Sequence, residues 1–417
     1  MAIIPADVIG KKRDGLSLKR NEIFDFVLGY SRGDIPDYQM SALAMAIFFR
    51  SMNAEETSFL TEAMLASGER LERSSSDVPR VGKHSTGGLG DKTSLVLAPL
   101  LACFPVHVPK LSGRGLGITG GTLDKLESSP GYRTNLTPHE INKQLNAVGC
   151  VITGATANIV PADKKLYGLR DVTGTVPSIP LIASSIMSKK LAESLDALVL
   201  DVKFGTGAFM ADRPQADLLA KTMIDIGTHM HVATDAICSD MNQPLGRAVG
   251  NACEVNEALD VLRGQGPPEV AELVLQLCAR ILVLAKVVPN ETQARVELAQ
   301  KLSGGAALER FERMVAAQGG KLSPLSLETA PYHPLLSDRT GNIVGIDGQK
   351  LGWAIIQLGG GRKVAHAAID HRVGLIMEKK IGQKVTQNEP LLQILAEKNQ
   401  AAEVRSMLLA AFNISSS

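Results

Sequence analysis

Beyond about residue 80 the chain repeats one grammar, in which short apolar runs such as Ser94 to Leu101, Val106 to Leu111 and Ala197 to Val202 are separated by glycine-rich turns and amphipathic segments. Read as strands, these runs alternate with helical segments, so each strand is followed by a crossover rather than a hairpin. Such an order predicts a largely parallel sheet covered on both faces. This pattern excludes an all-helical or all-β chain and assigns the middle of the sequence to the α/β class.

The two ends depart from that grammar. From Lys19 to Ser67 apolar residues recur at helical spacing, as in Ile23, Phe26 and Val27 and then Leu43, Ala46 and Ile47, with Gly33-Asp34-Ile35-Pro36 breaking the run. The segment Glu72 to Pro79 has no apolar period, carries a serine run and a proline, and reads as a linker, so a boundary is expected near residues 68 to 79. Between Pro161 and Leu195 two helical stretches interrupt the strand pattern, and this insert is expected to pack back on the amino-terminal helices. After Ser323 short alternating runs, Asn342-Ile-Val-Gly-Ile-Asp347 and His371-Arg-Val-Gly-Leu-Ile-Met-Glu378, predict a small β-rich carboxy-terminal domain. The expected division is a helical domain over 1–67 completed by 162–195, an α/β domain over 80–161 and 196–322, and a small α+β domain over 323–417. Trp353 and the run Gly359-Gly360-Gly361-Arg362 read as structural, with anion binding by the glycines and Arg362 as the lesser alternative.

Composition narrows the partners. The 417 residues include 44 Lys plus Arg against 43 Asp plus Glu, a formal charge of +1, and only 4% aromatics. With no basic run interleaved with aromatics, a nucleic-acid groove is not expected. The amino terminus turns polar before it could form a signal peptide, and no stretch approaches the ~18 apolar residues of a membrane span, so a cytoplasmic protein is expected. Cys103, Cys150, Cys238, Cys253 and Cys278 are odd in number, widely spaced and set in apolar segments, which reads as reduced core thiols rather than disulfides or metal ligands.

The chemistry concentrates in two glycine loops. Lys83-His84-Ser85-Thr86-Gly87-Gly88-Leu89-Gly90-Asp91 brings glycines that let backbone approach a ligand together with a lysine and hydroxyl donors, a combination suited to phosphate. It is neither a Walker loop, because Lys and Ser precede the glycines, nor a dinucleotide fingerprint. A second loop, Lys110 to Glu127, repeats the donor content. Loops that follow adjacent parallel strands converge at one end of the sheet, so both would hold one anion. His84, flanked by Lys83 and Ser85, is a candidate acid or hydrogen-bond donor to a leaving group. In the helical insert, Tyr167 and Arg170 lie at i and i+3, and Ser185 and Lys189 at i and i+4. Arg170, Ser185 and Lys189 supply donors and a donor-acceptor hydroxyl, a set suited to the carbonyls and ring nitrogens of a small polar heterocycle, though solvated helix faces use the same residues.

These segments, with Ser112-Gly-Arg-Gly-Leu-Gly117, Thr119-Gly-Gly-Thr-Leu-Asp-Lys-Leu-Glu127, Pro161-Ala-Asp-Lys164, Arg170-Asp-Val-Thr173 and Ser178 to Lys190, closely resemble the thymidine phosphorylase and pyrimidine-nucleoside phosphorylase family. The likeness runs from Lys11-Lys-Arg-Asp-Gly15 through Asp240 to Gly246 and on to Gly359-Gly-Gly-Arg362, nearly the whole chain. It implies a homodimer whose protomers have an all-helical domain facing a mixed, mostly parallel α/β domain across a cleft, with hinge closure bringing phosphate to the sugar. It also implies that Lys83, Ser85, Ser94, Lys110, Leu111, Ser112 and Thr122 contact phosphate. Arg170, Ser185 and Lys189 would hold the pyrimidine with Tyr167 nearby, and His84, Arg170 and Lys189 would be catalytic. Leu116, Val176, Ile182 and Phe209 are candidates for shaping the pocket around the base and sugar. The implied reaction is reversible phosphorolysis, thymidine plus phosphate giving thymine plus 2-deoxy-α-D-ribose 1-phosphate, with deoxyuridine and uridine as further candidate substrates.

Two positions depart from the family pattern. Ile118 stands where many members have His, and Lys92 stands where potassium-binding relatives have a ligand alongside Gly90, Leu245, Ala248 and Glu257. The expectation is that the Lys92 ammonium replaces the cation and pairs with Glu257, leaving no metal and no cofactor beyond the phosphate co-substrate. Two other readings compete: an anthranilate-phosphoribosyltransferase-like enzyme, which needs a pyrophosphate and magnesium site, and a binding protein of the same fold without turnover.

Overall fold

The computed structural model describes residues 3–73, 78–115, 117–118, 120–322, 326–363 and 367–416. Four helices open the chain: α1 (Pro5–Arg13), α2 (Arg20–Arg32), α3 (Asp37–Arg50) and α4 (Ala54–Ala66). Local chemistry sets their ends. Asn53 accepts from the Glu56 N–H at 2.8 Å while the Glu56 carboxylate accepts from the Asn53 N–H at 2.9 Å, a reciprocal cap for α4. Gly33 closes α2 in the left-handed region at φ 93°.

The central part follows as β1 (Val81–Ser85), α5 (Thr93–Leu101), β2 (Val108–Ser112), α6 (Thr122–Glu127), α7 (Pro138–Val148) and β3 (Cys150–Gly154). The insert is α8 (Pro161–Thr173) and α9 (Ile179–Ala192), and then come β4 (Ala197–Phe204), α10 (Arg213–His229) and β5 (Ala233–Asp240). Strands β1, β4 and β5 pair in parallel in the order β1-β4-β5, and β2 pairs in parallel with β3. A parallel bridge between Arg80 and His107, with the Val81 N–H donating to the His107 carbonyl at 2.8 Å, joins the two groups into the order β3-β2-β1-β4-β5. Antiparallel pairing among the described residues is confined to the carboxy-terminal sheets and one isolated bridge, so the central sheet is parallel throughout rather than mixed.

The run Ser94–Leu101 is not a strand. It belongs to α5, whose first N–H, that of Thr93, donates to the Asp91 side chain at 3.3 Å. Leu95, Val96, Leu97, Ala98, Leu100 and Leu101 are all completely buried. A helix enclosed on every side has no polar stripe, so its apolar run has no period to distinguish it from a strand.

The chain continues as β6 (Ala248–Gly250), α11 (Ala252–Leu262), α12 (Pro268–Leu284), α13 (Glu291–Ser303) and α14 (Ala306–Ala317), then β7 (Tyr332–Leu336), β8 (Gly341–Ile346), α15 (Gly348–Gln357), β9 (Gly374–Met377), β10 (Lys384–Val385), β11 (Pro390–Leu395), α16 (Lys398–Leu409) and β12 (Phe412–Ser416). The carboxy-terminal sheets run β6-β9-β11-β7 and β10-β8-β12, all antiparallel. Strand β6 therefore leaves the α/β segment of the sequence to pair with β9, which no period in three residues could announce.

Three apolar clusters hold these parts. In one, α2, α3, α4, α8, α9 and α10 share a core with one face of the sheet through Leu198, Leu200 and Val202. The insert thus packs on the amino-terminal helices, and α10 joins them. The opposite face, through Val81, Val108, Ala197 and Val199, packs on α5, α11, α12 and α14. A third cluster belongs to the carboxy-terminal sheets with α15 and α16. Cys150, Cys253 and Cys278 are buried thiols, whereas Cys103 and Cys238 are only half-buried; all are free.

Candidate functional site

The two glycine loops leave the carboxyl ends of adjacent strands, because β1 ends at Ser85 and β2 at Ser112. Lys83 lies within β1 with its side chain fully enclosed. Its Nζ donates to Thr93 Oγ1 at 2.6 Å and lies 3.1 Å from Asp201 Oδ2 and 3.8 Å from Asp91 Oδ2. Asp201 also pairs with Lys203 at 2.9 Å and accepts from the Ser239 hydroxyl at 2.5 Å. Burial alone would raise the Asp91 and Asp201 carboxyls, but the lysines outweigh it and hold both below the usual carboxylate range. Gly90 sits at φ 74°, and a Cβ there would come within 2.6 Å of the Leu245 carbonyl oxygen, so the turn into α5 admits only glycine.

Lys110, in β2, donates to the Lys83 carbonyl at 2.9 Å. Burial first, then Lys190 and Lys83, push its ammonium well below its usual value against Glu193 and Asp91. Leu111 does not present a free backbone to a ligand. Its N–H donates to Glu193 Oε1 at 2.8 Å and its carbonyl accepts from Lys190 Nζ at 3.0 Å, tying β2 to the end of α9. Ser85 accepts from the Gly87 N–H at 3.2 Å, while the hydroxyls of buried Ser94 and half-buried Ser112 and Thr122 have no partner among the described residues.

On the helical side, Lys189 donates to Ser185 Oγ at 2.9 Å and to Asp163 Oδ2 at 2.5 Å, and lies 5.8 Å from the Tyr167 ring centroid. Arg170 is buried, and its guanidinium donates to the carbonyls of Thr175 at 3.4 Å, Leu181 at 3.1 Å and Val176 at 2.6 Å, so three of its five N–H groups shape the turn between α8 and α9. Ile182 packs half-buried against the helical core. Phe209 is 46% exposed in the turn after β4, next to Ala208, which bridges to Gly88 of the first loop. Leu116 lies outside the described residues.

His84 is where the two sides meet. Burial first, then Lys190, Lys110, Lys189 and Lys83, hold its imidazole well below the usual histidine value. It is therefore neutral at pH 7, a form whose one ring N–H is able to donate a hydrogen bond without carrying charge. Lysines from β1, β2 and α9 thus surround one neutral ring.

The residues that sequence reasoning passed over are the carboxylates. Asp91, Asp163, Asp201 and Glu193 each compensate a lysine of the site. A signal existed for one of them: Asp201 and Lys203 alternate inside the otherwise apolar run of β4, a pattern that requires a buried pair.

Lys92 lies among the oxygens of the expected cation position. Its fully buried ammonium donates to the carbonyls of Leu245 at 2.8 Å and Ala248 at 2.9 Å and to the Glu257 carboxylate. Three N–H groups meet three oxygens, so the ligand set is already satisfied by a side chain, does not fit an added potassium ion, and no step is derived through one. Replacing Lys92 by Thr is expected to lower the thermal midpoint and to make it rise again with potassium but not with tetramethylammonium; a variant indifferent to potassium would show that the oxygens do not form a cation cage.

A parallel sheet whose strand ends carry two lysine-bearing glycine loops, joined to a helical bundle that carries a second donor set, defines a two-part transferase of the glycosyl transferase class. Family models agree: "Glycosyl transferase family, helical bundle domain" matches residues 6–68, "Glycosyl transferase family, a/b domain" matches 77–308, and "Pyrimidine nucleoside phosphorylase C-terminal domain" matches 343–415. Among curated relatives, the pyrimidine-nucleoside phosphorylase of Geobacillus stearothermophilus is 49% identical over 414 residues, 98% of this chain and 96% of the relative. That of Staphylococcus haemolyticus is 48% identical over 403 residues, 95% of this chain and 93% of the relative. The chain belongs to the pyrimidine-nucleoside phosphorylase family. A crystal structure of anthranilate phosphoribosyltransferase from Thermus thermophilus aligns with TM-score 0.59 over 75% of this chain and 99% of that one at 18% identity, a likeness of fold alone.

Proposed function

We propose that the protein catalyses the reversible phosphorolysis of pyrimidine nucleosides: thymidine and deoxyuridine, and also uridine, react with inorganic phosphate to give the free base and a (deoxy)ribose 1-phosphate. The observation that carries this reading is the convergence on neutral His84 of lysines from the glycine-loop strands and from the helix bearing Ser185 and Lys189. A phosphate oxygen attacks the anomeric carbon as the bond to the base breaks, with inversion. The sugar becomes oxocarbenium-like, and the base leaves with the bonding electron pair before it takes up a proton. Donors aimed at the departing base are stronger partners in the transition state than in the ground state, which assigns His84, Arg170 and Lys189 to that role. Lys83, Ser85, Ser94, Lys110, Ser112 and Thr122 hold phosphate; Leu111 contributes through its place in β2, since Glu193 and Lys190 occupy its backbone groups. No cofactor or metal is needed beyond the phosphate co-substrate.

The protein works as a cytoplasmic homodimer in this reading. Leu16, Tyr38 and Phe49, exposed by 58%, 74% and 75% on and around the amino-terminal helices, support such an assembly. Among the described residues no helix is long and apolar enough to cross a membrane.

The test is release of free base from thymidine, deoxyuridine and uridine with and without phosphate, with His84→Ala as the control. Phosphate-dependent release that falls by about 10²-fold or more in the variant is expected. Release from deoxynucleosides alone would narrow the substrate range, and no phosphate-dependent release from any of them would overturn the reading in favour of a binding protein.

A further inference from the structure

The run Gly359-Gly360-Gly361-Arg362 lies in the carboxy-terminal region, outside the segments that match the bundle and a/b models, yet its arginine points into the α/β domain. Arg362 Nη1 donates to Asp124 Oδ2 at 2.9 Å and Nη2 to Asp124 Oδ1 at 2.8 Å, a bidentate pair with side chains only 15% and 3% exposed. The guanidinium is thus committed to an internal carboxylate and is not a site for an anion from solution.

Asp124 stands in α6, two residues after Thr122. Its carboxylate also accepts the Gly115 N–H at 2.6 Å and Arg114 Nη1 at 3.3 Å, both from the second glycine loop. The next residue, Lys125, donates to the Asp91 carbonyl of the first loop at 2.8 Å and pairs with Glu254 at 2.6 Å. One turn of helix therefore holds both loops. The carboxy-terminal region touches the second loop again at Ile118, which rests on Gly352 of α15: a Cβ on Gly352 would fall 2.5 Å from Ile118 Cβ and 2.8 Å from its carbonyl oxygen. Ile118 is a packing residue, and the apolar side chain suits a contact with a helix of the third cluster. Asn251 Nδ2 fixes the glycine run by donating to the Gly360 carbonyl at 2.9 Å.

We infer that Arg362 is a positioning residue for the phosphate side of the site: by clamping Asp124 it makes the carboxy-terminal domain the support that sets the shape of the second glycine loop. This rests on the proposed function. Arg362 touches no substrate and acts through Asp124 and Gly115.

The test compares Arg362→Ala and Arg362→Lys with the unaltered chain. In Arg362→Ala the KM for phosphate is expected to rise about tenfold or more, since small displacements of a positioning group are costly, while the nucleoside KM stays within about twofold. Arg362→Lys falls between, because one ammonium cannot reproduce the planar fork. Added guanidinium is expected to lower the phosphate KM of Arg362→Ala toward that of the unaltered chain. Calorimetric binding of inorganic phosphate should weaken in the same order. An unchanged phosphate KM, or equal rises in both KM values without guanidinium rescue, would overturn the inference and leave Arg362 a support of the fold. If Arg362→Ala does not fold, Arg362→Lys decides by the same criteria. Absence of phosphate-dependent turnover in the unaltered chain instead removes the proposed function, and calorimetry on it and on the variants then decides the clamp alone, phosphate affinity that is absent or insensitive to Arg362 counting against it.

Discussion

Lys189→Ala is expected to lower kcat/KM for the nucleoside by about 10² to 10³-fold, the usual cost of deleting a donor that stabilises developing negative charge. Two of the three ammonium N–H groups are directed at Ser185 Oγ and Asp163 Oδ2, which fix the side chain and leave the third for the departing base. The side chain is 34% exposed, so it faces the solvent-accessible side of the helical bundle rather than the core. Deleting the lysine also orphans the buried Asp163, whose Oδ1 already has no hydrogen-bond partner. The double variant Lys189→Ala/Asp163→Ala separates the two effects: stability should recover while activity stays low. Steady-state kinetics in both substrates together with thermal midpoints check this, and a loss of less than about threefold would remove Lys189 from the leaving-group role.

Asp201→Asn is expected to be the most damaging single change to stability, about 3 to 5 kcal/mol, because it leaves the buried Lys83 and Lys203 ammoniums short of their shared carboxylate. The pH dependence carries the sign. The Asp201 carboxyl is raised by burial but lowered further by Lys203 and Lys83, so its folded value lies below that of the unfolded chain. Its contribution is fully present above the unfolded carboxyl value of about 4 and is lost as pH falls through the lower folded value. Denaturation of the native chain should therefore become easier in acid, and the variant should start from a lower stability at neutral pH and lose less on acidification. Equal stability of the two at pH 7 would show that Lys83 finds sufficient compensation in Asp91, 3.8 Å away.

Much of the candidate site was legible as a cluster because its residue types are unusual where they occur. A lysine and two hydroxyl residues beside clustered glycines have few uses other than holding an anion, and Ser185 and Lys189 at helical spacing had to share a face. The α5 segment was not legible as a helix, because complete burial removes the polar stripe that marks one. Nor was the role of Leu111, since only the fold brings Glu193 and Lys190 onto its backbone. Ile118 was marked as a departure, but nothing in its neighbourhood of glycines announced Gly352 as its partner.

The sequence by itself determined the helical amino terminus, the parallel α/β middle, the two lysine-bearing glycine loops and the family, because periodicity, glycine and donor placement act over short stretches of chain. Apart from the Asp201–Lys203 pair within β4, tertiary structure decided the balance of charge. Several buried cations of the site are held by a partner far away in sequence: Lys83 by Asp201, Lys92 by Glu257, Lys125 by Glu254, and the loop carboxylate Asp124 is held by Arg362. A charge can be buried only with a partner in reach, and reach is set by how strands and helices stack, not by spacing along the chain.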